Sequence, residues 1–203
     1  RISSPADQFL EYTAGVFYSN QKQTRDPETL AVSVVPFPGL VIPIVRNPGA
    51  DIDIQDESLA VFGQGTFHLS PALRLIAGGR YTTDRLSMDR YDYFTPADPF
   101  SRTVLDVQKF SWRLGAQYDL ANDTMVYATA SRGFKGGQIA IPSAPAKPFV
   151  VQPEIPTAYE LGLKSTLFGG WVADLNIFYS KIKNFQAQQC TVDSTAVISC
   201  VQT

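Results

Sequence analysis

Along most of this chain, apolar and polar residues alternate one by one. In the run Phe110-Ser111-Trp112-Arg113-Leu114-Gly115-Ala116-Gln117-Tyr118-Asp119, the residues Phe110, Trp112, Leu114, Ala116 and Tyr118 share one face of an extended strand. Ser111, Arg113, Gly115, Gln117 and Asp119 take the other, because successive side chains of a strand point to opposite sides. The same period predicts seven strands, at about 7–20, 56–70, 73–90, 110–119, 124–134, 159–167 and 171–180. Leu10, Tyr12, Ala14, Val16 and Tyr18 form the apolar face of the first strand. In the second, Leu59, Val61, Phe67 and Leu69 oppose Gln64, Thr66 and His68.

The connections also alternate. A long one reaches about residue 54, Ser70-Pro71-Ala72 is tight, 91–104 forms a medium loop, and Ala121-Asn122-Asp123 is tight. Residues 135–156, rich in Gly and Pro, are expected to be irregular; Phe168-Gly169-Gly170 is tight, and a long segment follows Gln186. Strict alternation implies antiparallel up-and-down strands with short turns on one rim and long loops on the other. Aromatic residues on one face and charges on the other fit a wall between lipid and water. The expected fold is therefore all-β: about seven strands of a large transmembrane β-barrel, with short periplasmic turns and long extracellular loops. A soluble sandwich would not need loops that alternate in length, nor place Trp112 and Tyr118 in water.

Composition adds limits. The chain has 203 residues, and 17 basic against 19 acidic residues give a net charge of −2, so no nucleic-acid-binding surface is expected. A membrane helix needs about 20 consecutive apolar residues; the nearest stretch, 30–45, is broken by Pro36, Pro38 and Pro43. No signal peptide begins at Arg1, and seven strands leave unpaired edges that a membrane does not tolerate. The chain is thus expected to be part of one larger barrel domain, with its remaining strands outside the segment. Cys190 and Cys200 lie close in sequence, so a short disulfide-closed loop in an oxidising compartment is the favoured reading, against two free thiols or partners elsewhere.

Several strings then resemble one family. Val126-Tyr127-Ala128-Thr129-Ala130-Ser131-Arg132-Gly133-Phe134-Lys135-Gly136-Gly137 resembles a recurrent strand and loop start of TonB-dependent outer-membrane receptors. Pro153-Glu154 with Tyr159-Glu160-Leu161-Gly162-Leu163-Lys164, and Phe178-Tyr179 with Lys183-Asn184-Phe185-Gln186, resemble the next two strands. Ala14-Gly15-Val16-Phe17-Tyr18, Ala60-Val61-Phe62-Gly63-Gln64 and Ala77-Gly78-Gly79-Arg80-Tyr81 also fit, in family order. The resemblance implies a barrel of about 22 strands closed by an N-terminal plug, with the plug and its TonB-contacting box outside this segment. It implies an outer-membrane receptor of a Gram-negative bacterium that imports a scarce nutrient, most commonly a ferric siderophore, with energy from TonB. Its partners would be outer-membrane lipid and lipopolysaccharide, the nutrient, and the TonB complex through the plug. A passive porin or adhesin-type barrel is the alternative, and a soluble carbohydrate-binding sandwich a third.

Individual residues divide between structural and functional roles. Arg74, Arg80, Arg113, Glu160, Lys164 and Asp174 are expected to face the lumen, where a cross-strand ionic lattice explains them more simply than substrate contact. Arg132 falls on the lipid face by parity, close to the long-loop rim; it either snorkels to headgroup phosphates or is turned inward by a register change at Gly133. The apolar loop 32–45 supplies the ligand candidates Phe37, Leu40, Ile42 and Ile44, with packing against neighbouring loops as the alternative. Asp51, Asp53 and Glu57 share a face but fit an acidic strand end better than a calcium site. His68, the single histidine, lacks partners for a metal or catalytic site. Asn122-Asp123-Thr124 matches a glycosylation sequon, yet a tight turn accounts for it. No phosphate loop, dinucleotide fingerprint or nucleophile elbow is present, so neither a cofactor nor enzyme activity is expected.

Overall fold

A computed structural model describes residues 1–25, 30–37, 40–46, 50–93, 95–140, 147–192 and 198–202, with side chains for 1–25, 50–93, 95–140 and 147–187. Eight strands form one antiparallel sheet in the order β1 (Ile2–Ser3), β2 (Leu10–Arg25), β5 (Ala50–His68), β6 (Leu73–Asp92), β7 (Phe100–Ala121), β8 (Thr124–Arg132), β11 (Ile155–Leu167) and β12 (Trp171–Lys183). From β2 to β12 these are the seven strands that the alternation predicts. Three separate two-stranded ribbons lie within the long connections: β3 (Leu30–Phe37) with β4 (Leu40–Arg46), β9 (Gln138–Ala140) with β10 (Phe149–Val151), and β13 (Gln188–Val192) with β14 (Ile198–Gln202). Among the described residues no helix is long and apolar enough to cross a membrane.

The tight turns join β5 to β6, β7 to β8 and β11 to β12 on one rim. The last is a single 3₁₀ turn, Phe168–Gly170, where Gly169 (φ 71°) and Gly170 (φ 88°) occupy the left-handed region that residues with a Cβ avoid.

Four expectations are corrected. Residues 91–104 are not a medium loop: β6 and β7 stay paired up to Tyr91↔Phe100, leaving only a short turn above. Residues 135–156 are not irregular throughout, since β9 and β10 pair, Lys135 bridges Glu154, and β11 begins at Ile155. The connection to residue 54 holds the β3–β4 hairpin, and β5 already begins at Ala50. Phe134 falls outside β8, which ends at Arg132. No register change turns Arg132 inward; it pairs opposite Trp112 and Thr157, on the face of Leu114 and Tyr159.

The physical reason for the first three lies in an inversion of polarity along the tall strands. Below the level of Tyr18, Leu59 and Thr83, the outward face is apolar: Val16, Val61, Tyr81, Phe110, Leu114, Leu161 and Ile177 are all exposed there. Above it the outward face becomes polar, with Arg85 near Asp106 (3.8 Å), Arg102 near Asp89 (3.6 Å), and Thr24 donating to Asp53 (2.7 Å). The inward face changes in the opposite sense, and Ile52, Met88 and Ile139 form a buried cluster flanked by Ala50, Ile54 and Leu86. Tyr18 and Tyr81 mark the boundary, their hydroxyls donating to Glu57 (3.3 Å) and Gln108 (3.1 Å) at the first polar level above. Tyrosine suits a surface where its ring meets hydrocarbon and its hydroxyl meets water.

Candidate functional site on the inner wall

The register places Arg74, Arg80, Arg113, Glu160, Lys164 and Asp174 on one face, opposite to Trp112, Leu114 and Leu163. Near the short-turn rim, Arg74 grips Asp119 in bidentate fashion (Nη1 to Oδ2 2.8 Å, Nη2 to Oδ1 2.7 Å) and donates from Nε to Gln117 (3.2 Å). Such a fork-to-fork pair fixes the relative height of β6 and β7. His68 Nε2 stands 3.4 Å from Glu11 Oε1, and among the described residues no group of three metal-ligating side chains forms.

A second cluster joins β8, β11 and β12. Tyr127 donates to Glu160 (2.6 Å), Asn176 donates to the same oxygen (3.1 Å), and Lys164 pairs with Asp174 at 3.2 Å while lying 5.8 Å from the Tyr127 ring centre. The ring needs the space over Gly162, where an added Cβ would sit 2.4 Å from its carbons. The lattice therefore includes Arg74, Glu160, Lys164 and Asp174.

Arg80 is held differently. Its guanidinium lies 5.2 Å from the ring centre of Phe17 and 5.9 Å from that of Phe62, and its Nε donates to Thr82 (3.0 Å). Stacking on aromatic faces keeps the charge unneutralised. On β7, Lys109 and Arg113 flank Ser111, which is the register partner of Arg80. No carboxylate lies within ion-pair distance of these three cations among the described residues. Lys109 was not singled out by the sequence, and Phe17, Phe62 and Asp119 carried no role there; their parity was visible, their cross-strand partners were not.

Above this wall residues 135–140 and 147–154 fold inward against β6 and β7. Ile139, Ala140 and Val151 are buried, as are Leu105 and Val107 of β7. Five polar ties hold these residues. Gln186 Nε2 donates to the carbonyls of Gly136 (3.0 Å) and Gln152 (2.9 Å), and Asn184 donates to that of Pro153 (3.4 Å). Lys135 pairs with Glu154 at 3.3 Å, and Lys147 pairs with Asp98 in the β6–β7 turn. Asn184 turns the chain inward with φ 52°, a left-handed conformation that asparagine tolerates. Beneath lies a buried ion pair, Arg90 with Asp92, at 2.7 Å. Outside the spanning region, burial first and Asp84 second push the Asp56 carboxyl above its ordinary value. Asp51 and Glu57 accept hydrogen bonds from Tyr93 (2.8 Å) and Tyr18; Asp51 lies at the end of β5, whereas Glu57, expected at a strand end, lies within it.

The side chains of Phe37, Leu40, Ile42 and Ile44 lie outside the described residues. Their backbone is the β3–β4 hairpin, with Phe37 opposite Leu40, Ile42 opposite Val34 and Ile44 opposite Val32. The side chains of Cys190 and Cys200 are likewise outside; the β13–β14 register sets the two residues directly opposite.

Comparison with known proteins accords with this geometry. The ferric yersiniabactin uptake receptor FyuA from Yersinia pestis superposes with a TM-score of 0.69 at 19% identity, over 91% of this chain and 28% of its own. The ferric-catecholate import receptor Fiu from E. coli K12, closed form, gives 0.64 at 16%, over 95% and 30%. The siderophore receptor PiuA from Acinetobacter baumannii gives 0.57 at 13%, over 97% and 32%. The chain thus spans less than a third of the length of these proteins. A family profile described as "TonB dependent receptor-like, beta-barrel" matches residues 4–199. The chain belongs to the TonB-dependent receptor family, as a section of its transmembrane β-barrel.

Proposed function

We propose that the complete protein is an outer-membrane receptor of a Gram-negative bacterium that takes up a ferric siderophore with energy relayed by TonB. The observation that carries the reading is the cationic group Arg80, Lys109 and Arg113 on the water-facing wall, beneath the inward-folded residues 135–140 and 147–154. An anionic iron chelate descending the lumen would meet this group after passing that cover. The fold shared with proteins described as siderophore receptors supports the same substrate class. The wall charges Arg74, Glu160, Lys164 and Asp174 serve the shape of the barrel, whereas Phe37, Leu40, Ile42 and Ile44 would offer an apolar first contact outside. A Cys190–Cys200 disulfide would brace the last ribbon.

The test is uptake of radiolabelled ferric siderophores by iron-starved cells with and without the gene, in strains with and without TonB. Uptake that requires both is the expected result, and Arg80→Ala with Arg113→Ala should weaken ligand affinity about tenfold, each charge-assisted contact being worth on the order of 1.5–3 kcal/mol before solvent screening. Uptake that proceeds unchanged without TonB would favour the passive porin instead.

A further inference from the structure

A second polar site lies at the top of the inner wall, apart from the cations lower in the lumen. A cavity of about 160 Å³ opens between the β6–β7 turn and Lys147 and Pro148 of the cover. Arg90, which lines it, stands ten residues beyond Arg80 on β6, about 33 Å along the strand. The deep part of the lining is the ion pair Arg90–Asp92, with side chains only 7% and 9% exposed. The exposed part is a second ion pair, Lys147 with Asp98, which ties the cover to the turn. The hydroxyl-bearing Thr95 and Ser101 and the rings of Pro99 and Pro148 complete it.

The frame is set before any ligand arrives. Asp92 N donates to the Pro99 carbonyl (2.7 Å) and Asp98 N to that of Thr95 (3.0 Å), so backbone bonds fix the turn that carries these residues. A preformed cavity spares a ligand the cost of ordering its walls. At about 30 Å³ per water, the space holds about five waters or one molecule of about six non-hydrogen atoms. Two cations, Arg90 and Lys147, face two carboxylates, Asp92 and Asp98, so the lining carries no net formal charge. A ligand of one sign would leave a lining charge uncompensated, which is costly where the pair is buried. A neutral polyol would meet the same charges with fewer charge-assisted bonds, the stronger kind. A molecule carrying one carboxylate and one ammonium answers both signs at once.

The geometry points to a site for a small zwitterion, an α-amino acid, with its carboxylate toward Arg90 and Lys147 and its ammonium toward Asp92 and Asp98. Such a ligand touches the β6–β7 turn and the cover together, so its occupancy holds the cover closed. Opening of the lumen would then answer to an amino acid that is not itself the transported chelate. The inference goes beyond the transport reading and concerns the cover alone.

The test titrates the complete receptor in detergent with L-alanine and three molecules of similar shape: L-lactate, which lacks the ammonium, alaninol, which lacks the carboxylate, and propane-1,2-diol, which lacks both. Binding is read by saturation-transfer NMR, and closure by amide hydrogen exchange of peptides over 149–151. L-Alanine should bind at least about tenfold more tightly than each of the others, the scale of one charge-assisted contact, and should slow exchange over 149–151 but not in β12. Ser101→Ala should weaken L-alanine binding about two- to tenfold, the scale of one ordinary hydrogen bond. Equal affinity for the four probes overturns the proposal without any variant having to fold, and leaves a cavity that holds water only. Exchange over 149–151 unchanged by saturating L-alanine overturns the closing role, and unchanged affinity in Ser101→Ala overturns the placement of the ligand. No siderophore is present in these measurements, so their failure leaves the uptake reading standing, and failure of TonB-dependent uptake leaves the amino-acid site standing.

Discussion

A single methyl group at Gly137 should loosen the cover over the lumen while leaving the barrel wall intact. An added Cβ there would lie 2.4 Å from Leu105 Cδ2, 2.8 Å from the Val151 carbonyl oxygen and 3.4 Å from Pro153 Cδ. Leu105 can rotate away, but the Val151 oxygen is backbone, held opposite Gln138 in the β9–β10 ladder. The ribbon must therefore shift. Overpacking of this kind costs about 1–3 kcal/mol. Alanine recovers about 0.4–1 kcal/mol by restricting the open state. The net penalty is about 0.5–2 kcal/mol, so the closed-to-open ratio should fall about 2- to 30-fold. Amide hydrogen exchange on the complete receptor in detergent reads this directly, with peptides over 138–140 and 149–151 exchanging faster and β6 peptides unchanged. Gly136→Ala is a matched control, since nothing lies within 4 Å of a Cβ there. Equal protection in the Gly137→Ala and Gly136→Ala proteins would refute the packing argument, and faster exchange throughout β6 and β7 would refute the local one.

Three further outcomes are expected. Leu114→Arg on the lipid face should destabilise the barrel in vesicles by about 2–4 kcal/mol in a denaturant titration; an unchanged midpoint would place that face in water. Met88→Ala, at a residue 2% exposed in the cluster above the membrane, should cost about 2–5 kcal/mol, and a loss below about 1 kcal/mol would show that the cluster is loosely packed. Asp56 titrates upward in the folded protein, because burial and Asp84 disfavour its charge, so the folded state binds the proton more tightly than the unfolded chain. That stabilisation is present at low pH and is lost as pH rises through the raised value. Asp56→Asn lacks this loss, so its melting temperature should gain on wild type from acid to neutral pH; parallel curves would contradict the assignment.

How far the fold was legible depended on which solvent each stretch meets. Between the tight turns and the Tyr18–Tyr81 level, one face meets hydrocarbon, so alternation is strong and gave all seven strands with their facing. Above that level Leu105 and Val107 turn inward to pack, whereas Arg102, Asp106 and Gln108 turn outward to water. The period of two persists but its sense reverses, which, with Pro96 and Pro99 inside the range, made 91–104 look like a loop. β9 and β10 have three residues each, too few to show any period. Side-chain partners were less legible still, because a parity argument assigns a face and never a register. Arg74 was placed inward, but Asp119 lies 45 residues away and becomes its partner only through the Arg74↔Gln117 alignment. The family strings carried more than parity could extract. Lys135, Gly136 and Glu154 belong to two of them and Asn184 and Gln186 to a third, and the structure brings these together as the ties that hold residues 135–140 and 147–154 inward. Residues as far apart in sequence as Gly136 and Gln186, 50 positions, thus meet at one place. A substitution in one string should therefore be compensated in another, which no reading confined to a single strand could reveal.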